Sequence, residues 1–305
     1  MEELEKMPEE KSKTKENLHK GSNFQNVLIF LKPNIEPEKV EKVVDILIQK
    51  GKRVFLTEGI NEKIPKFRYL PVAQNLKEID IIFVLGGDGA ILRTCEKLIE
   101  ERKLSIPVVG INMGRIGFLT FGEEQPEEVI EQVIKGEYKT EEINVLTCSV
   151  GKEKETRREK KEFFAVNDFL VKSPDGILEF EIFCEDDFIG KIRADGVLIS
   201  SQIGSTAYNL SLGGPIVYSG TEVILISFLA PFSLFSRSVI LPKNKSVYLK
   251  SSGEAVIYAD GKKKVSLEKK KEVAEFRYSD LKIKILKGKK TKFFDSLREK
   301  FKWLL

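Results

Sequence analysis

The sequence predicts two unlike halves, an α/β half built on a parallel sheet and a mostly β half of stacked sheets. Two patterns carry this. From Val27 to about residue 142, continuous apolar runs alternate with amphipathic stretches. From residue 143 onward, short β-rich runs follow one another, separated by Gly, Asp and Lys turns with little helix between them. The length of 305 residues is enough for two domains that each bury a core.

In the first half "VLIFLKP" reads as a strand, "PEKVEKVVDILIQKG" as an amphipathic helix and "KRVFLT" as a second strand. After a loop come the strand "IDIIFVL", a glycine turn, the helix "AILRTCEKLIEER" and the strand "IPVVGIN". The helix "QPEEVIEQVIKGEY" has proline near its start and glycine near its end. Uninterrupted apolar strands separated by helices predict a Rossmann-like parallel sheet covered on both faces. In the second half the runs "INVLTCSV", "FFAVNDFLVK", "ILEFEIFCEDDFIGKIRADGVLISS", "SVYLKSSG", "AVIYADG" and "LKIKIL" predict a sandwich or stacked sheets. The expected boundaries are a flexible charged tail over 1–23, the α/β domain over 24–142 and the β-rich domain over 143–288. In the last segment, 289–305, Phe293, Leu297 and Phe301 share a helical face expected to dock back on the α/β domain. The run "GKEKETRREKK" (151–161) is read as a solvated hairpin tip.

Composition excludes several classes. No apolar stretch reaches the ~18 residues of a membrane span, and "VILISFLAPFSLF" is too short and carries a proline. The charged start has no apolar core of a secretory signal. Basic and acidic residues number 51 and 47 and are interleaved, which gives no nucleic-acid stripe. Cys95, Cys148 and Cys184 are dispersed and odd in number, so they read as buried thiols of a cytoplasmic protein rather than disulfides or metal ligands. The single histidine, His19, lies in the tail, which removes Ser/His/Asp chemistry and His-ligated zinc. Catalysis is left to carboxylates, backbone groups or a metal carried in by a substrate.

Two segments point to chemistry. In "IIFVLGGDGAIL", Gly86, Gly87 and Gly89 let backbone N–H groups approach phosphate oxygens at the carboxyl end of a strand, where open α/β sheets bind ligands. Asp88 is discordant there, because a carboxylate repels phosphate. It accepts the proton of an attacking alcohol, organises Mg²⁺ on a nucleoside triphosphate, or only caps the helix. Arg93, one turn on, is placed to offset phosphate charge. Neither G-x-x-x-x-G-K-[ST] nor G-x-G-x-x-G is present, since "GINMGRIG" (110–117) spaces its glycines differently. The second segment, "IRADGVLISSQIGSTAYNLSLGGPIVYSG" (192–220), is costly in backbone entropy, which favours close ligand approach. Thr206, Ala207, Tyr208 and Ser211 offer a surface for a ribose and an aromatic base. In "AVNDFLV", Asn167 and Asp168 could meet adenine and ribose, or form a bulge.

Taken in order, "GGDGAILR", "NMGRIGFL", "AVNDFLV", "RADGVLISSQIGSTAYNLSLGGPIV" and "FFDSLREKFKWLL" resemble the NAD kinase family, over nearly all the chain from about residue 25. The GGDG element alone is shared with lipid kinases and phosphofructokinases; the GSTAY-type segment is more specific. The resemblance implies transfer of the γ-phosphoryl of ATP, or of polyphosphate, to the adenosine-ribose 2′-hydroxyl of NAD, with Mg²⁺ carried by ATP. It implies Asp88 as proton acceptor, with Gly86, Gly87 and Gly89 beside it and Arg93 on phosphate. It places Asn167 and Asp168 on the adenosine and Arg193 and Asp195 along the dinucleotide site. Thr206, Ala207, Tyr208, Asn209, Leu210 and Ser211 complete the implied pocket. It also implies a homodimer or homotetramer in the cytoplasm. Gln202, Ile203, Phe232, Lys262 and Ala90 depart from the family's usual residues, around the pocket rather than on the carboxylate. A lipid or sugar kinase sharing the GGDG turn and a non-catalytic dinucleotide sensor are the competing readings.

Overall fold

In the computed structural model, residues 24–302 are described except 32–34, 61–63, 115–116, 123–124, 153–158 and 269–271. The charged tail, His19 and the centre of the expected hairpin tip lie outside the described residues. The apolar runs form β1 (Asn26–Leu31), β2 (Arg53–Leu56), β3 (Ile81–Leu85) and β4 (Val108–Ile111). These strands pair in parallel in the order β2-β1-β3-β4. Helix α1 (Pro37–Gln49) starts on proline and buries Val40, Val43, Val44 and Leu47, the spacing of one helical face. Helix α2 (Asp88–Glu100) buries Ile91, Cys95 and Leu98 against the other side of the sheet. Helix α3 (Pro126–Lys135) opens with a Gln125/Glu128 capping box.

The two halves are joined by one sheet. Strand β5 (Tyr138–Lys152) runs unbroken through residues 142 and 143, antiparallel to the final strand Glu272–Gly288. That final strand pairs in parallel with β4 through Ile285 and Leu286 at its carboxyl end. At its other end it pairs antiparallel with Val247–Ser251. The result is a ten-stranded mixed sheet in which the change of texture falls inside a strand. The apolar pattern hid this, because the first half of β5, "YKTEE", is exposed or half-buried while its second half is buried.

Between these strands lie β6 (Lys161–Ala165), β7 (Asp168–Lys172), β8 (Leu178–Cys184), β9 (Asp187–Ala194) and β10 (Gly196–Ser201). They are followed by the short α4 (Tyr208–Ser211), β11 (Val223–Leu229) and β12 (Val239–Pro242). Next come β13 (Val247–Ser251), β14 (Ala255–Ala259), β15 (Lys262–Leu267) and β16 (Glu272–Gly288), and the chain ends in α5 (Phe293–Phe301). A second, antiparallel sheet has the order β12-β11-β10-β7-β14-β15. It stacks on the antiparallel part of the first through Phe169, Phe180, Ile199 and Phe276, the rings of Phe169 and Phe276 being 5.6 Å apart. Each such fully buried side chain contributes about 1.5–3 kcal/mol. Cys95 and Cys148 are buried as expected. Cys184 is only half-buried, because it ends β8. No helix among the described residues is long and apolar enough to cross a membrane.

Candidate active site

The apolar strand β3 ends at Leu85, and the Gly86 N–H donates to the Ile111 carbonyl at 3.0 Å, tying the glycine turn to β4. Gly87 occupies the cap position and Asp88 is the first residue of α2. The capping role considered for Asp88 is not realised. Its carboxylate crosses to the turn after β4, where Leu119 N–H donates to Oδ1 (2.9 Å) and Phe118 N–H to Oδ2 (3.1 Å). Lys300 Nζ completes the set on Oδ2 at 2.9 Å. With these three donors, the ones made among the described residues, the position left of a carboxylate's roughly four is on Oδ1. Gly117 makes this approach feasible: a Cβ there would lie 2.1 Å from Asp88 Oδ1.

Two lysines flank the turn. Lys287 of β16 is buried, and its ammonium donates to the carbonyls of Thr120 (3.1 Å) and Phe118. Burial lowers its pKa to about 8, against the pull of the Glu141 and Asp88 charges. Lys300 of α5 lies 4.6 Å over the ring of Phe118, which also contacts Phe293 at 5.8 Å and Phe301 at 6.0 Å. Leu297, buried on the same helix, seats α5. Neither lysine was singled out from the sequence. Both sit in polar or amphipathic runs, and their partners are 167–212 residues away.

On the other side of α2, Asn167 and Asp168 interrupt the β6–β7 path because Asp260 collects their backbone. Its carboxylate accepts the N–H groups of Val166 (2.8 Å), Asn167 (2.8 Å) and Asp168 (3.2 Å). In the sequence Asp260 does not stand out from the run "AVIYADG", and only the fold shows what it grips. Asp168 is buried, and its pKa is pushed up to about 7, by burial first and then by the charge of Asp260. Asp260 is raised too, by its own burial, although three amides favour its charged form. Leu92, Asn167, Asp168, Ala207, Tyr208 and Tyr258 wall a cavity of about 470 Å³. An adjoining cavity of about 360 Å³ shares Leu92 and Asp260 and is lined by Gly89, Arg93, Glu96, Lys262 and Lys264. There Glu96 is held by Lys264 at 2.9 Å and by Lys262, so the Lys262 departure is spent partly on an ion pair.

The 192–220 segment has a second reason for its small residues, the protein's own close packing. A Cβ on Gly204 would lie 2.3 Å from the Asn167 carbonyl, and the Ser201 hydroxyl donates to the Val166 carbonyl at 2.7 Å. Asn209, assigned to the pocket, is fully buried. Its amide donates to the carbonyls of Ser205 and Pro215, and its oxygen accepts from Ser227. Ala207 and Tyr208 do face the cavity with Asn167 and Asp168. Thr206 lines a different cavity of about 770 Å³ beside α5, together with Ile203. Leu210 is half-buried and Ser211 exposed. Arg193 and Asp195 line none of these cavities. Arg193 lies on β9, the edge of the large sheet, stacked 4.7 Å over Phe232.

A carboxylate fixed at a glycine turn, next to Gly89 of a cavity lined by Arg93, Lys262 and Lys264, fits a class: a phosphotransferase of the kinase kind. Residues 27–138 match the ATP-NAD kinase N-terminal domain and residues 168–288 the ATP-NAD kinase C-terminal domain. The chain belongs to the NAD kinase family. The NAD kinase of Caldicellulosiruptor saccharolyticus is 33% identical over 274 residues, covering 88% of this chain and 97% of the relative. That of Methanothermobacter thermautotrophicus is 34% identical over 272 residues, covering 86% and 90%. Among solved structures, yeast NADH kinase complexed with NADH superposes with a TM-score of 0.79 at 23% identity, over 92% of this chain and 88% of that one. An NAD kinase from Archaeoglobus fulgidus in complex with ATP gives 0.69 at 22% identity, over 90% and 99%. At these identities the two structures speak to the fold.

Proposed function

We propose that this protein transfers the γ-phosphoryl group of ATP to the adenosine-ribose 2′-hydroxyl of NAD, with Asp88 as proton acceptor. The observation that carries the reading is the Asp88 carboxylate. Two backbone amides and one ammonium fix it at the head of α2, and one acceptor position remains on Oδ1. The next residue, Gly89, lines the smaller cavity with Arg93, and Asn167, Asp168 and Tyr208 line the adjoining one.

An alcohol is barely acidic, so Asp88 need not ionise it in the ground state. In a loose transition state the hydroxyl proton is released late, and a positioned carboxylate suffices. Asn167 and Tyr208 orient the adenosine, and Asp168 accepts a ribose hydroxyl. Arg93 and the lysines of the smaller cavity offset phosphate charge. Among the described residues no three His, Cys, Asp or Glu side chains group to hold a metal. Mg²⁺ enters this proposal as part of the ATP substrate, where it neutralises phosphate charge. Assembly into a homodimer or homotetramer is part of the same reading, supported by Leu234 and Phe235, which are 86% and 91% exposed in the loop after β11.

The test is a panel of ATP, other triphosphates and polyphosphate against NAD and NADH, with NADP or NADPH read by a coupled dehydrogenase. The expected product is NADP from ATP and NAD. No phosphorylated dinucleotide from any donor sinks the proposal, and NAD binding without turnover supports a sensor instead.

A further inference from the structure

Lys300 lies beyond the segments that match the two family domains, which end at residue 288. Even so, it supplies the one ion pair made to Asp88 among the described residues, 2.9 Å from Oδ2. Lys300 is 30% exposed and Asp88 22%. At this partial burial the ion pair need not be what holds α5 in place. Leu297 and the rings of Phe293 and Phe301 do that, and with Phe118 beneath the stem they leave the ammonium in a defined place.

The placement matters because of what the carboxylate has left to offer. Phe118 N–H and Lys300 occupy Oδ2, and Leu119 N–H occupies one position on Oδ1. A hydroxyl bonded to the remaining position, at roughly 2.6–3.2 Å, puts the attacking oxygen on the same carboxylate that holds the ammonium. The phosphorus it attacks then lies within reach of the same cation. In a loose phosphoryl transfer the charge to be stabilised sits on the equatorial oxygens of that group. Arg93, Lys262 and Lys264 line the cavity along α2, and the two lysines are engaged with Glu96. Lys287 is turned into the protein, towards two carbonyls.

We propose that Lys300 is a further catalytic residue, whose ammonium, fixed by α5 beside Asp88, binds the phosphoryl group as it transfers. The proposal rests on Asp88 being the proton acceptor. The bond between the γ-phosphorus and the ADP oxygen breaks as the bond to the 2′-oxygen forms. The hydroxyl proton passes to Asp88, and Lys300 keeps its own.

The experiment compares Lys300→Met, Lys300→Arg and Asp88→Asn with wild type in the full chain. It reads kcat and KM with ATP, Mg²⁺ and NAD, the NAD dissociation constant without donor, and the melting temperature. Lys300→Met is expected to lower kcat by roughly 10²-fold, the scale of losing one preorganised donor to a developing charge. The KM and dissociation constant for NAD should stay within about twofold, and Lys300→Arg should keep more activity than Lys300→Met. An unchanged melting temperature shows that the loss is not one of folding. A Lys300→Met enzyme with wild-type kcat, with a higher kcat, or with a defect confined to KM overturns the proposal. If Asp88→Asn is inactive in the same series, the proton-acceptor reading survives that failure. If Asp88→Asn stays active, both fall.

Discussion

At the scale of single residues, the site is built from carboxylates with different surroundings. Asp88 is held by amides and an ammonium, whereas Asp168 is buried beside a second carboxylate and has its pKa raised to about 7. That value lies above the usual ~3.9 of the unfolded chain, so between about pH 4 and 7 the native state binds the extra proton. Its favourable contribution is full at low pH and is lost as pH rises through 7. Asp168→Asn should therefore raise the melting temperature over wild type at pH 8, by a few degrees for each ~1 kcal/mol relieved, and raise it clearly less at pH 5. Equal effects at both pH values would show that Asp168 is not strained by its charge. Asp88 was legible in the sequence because a lone carboxylate among glycines has few reasons to be there. Asp260 was not, because an Asp-Gly pair between strands reads as a turn whether or not its side chain gathers three amides. The pairing of Asp88 with Lys300 spans 212 residues, a separation at which no local pattern operates.

At the scale of elements, the proposed proton acceptor is seated by the head of α2 against the turn after β4. The segment "NMGRIGFL" stood out in the sequence, and its described part supplies the Phe118 and Leu119 amides and the glycine that lets Asp88 reach them. Gly117→Ala places a Cβ where Asp88 Oδ1 now sits. Displacing a reacting group by about 1 Å costs roughly 10²-fold in rate, so kcat for NADP formation should fall by that order while NAD affinity persists. An alanine enzyme with normal kcat would mean that the carboxylate does not need this seat. The parallel strands and helices α1 to α3 were readable from apolar periodicity, because each buries one clear face. The glycine- and serine-rich segment was readable as special, but the packing part of the cause was not. Gly204 and Asn209 answer to neighbouring backbone, and only a few of its residues face a cavity.

At the scale of the whole molecule, one sheet carries both halves, and the residues of the proposed site come from both. Asp88 comes from the parallel part, Asn167 and Asp168 from the stacked sheet, and Lys300 from the final helix. The continuous β5 and β16 ladder ties these segments to one frame, as a reaction that depends on alignment requires. Class and stacking were legible in the sequence. The joint was not, because the exposed half of β5 has no apolar pattern to extend. The central claim, that Asp88 receives the hydroxyl proton, is tested most directly by the turnover of Asp88→Asn in NADP formation, with NAD affinity measured separately. A proton acceptor predicts a fall in kcat of roughly 10²–10⁴-fold with NAD binding largely kept. Turnover close to wild type would contradict it.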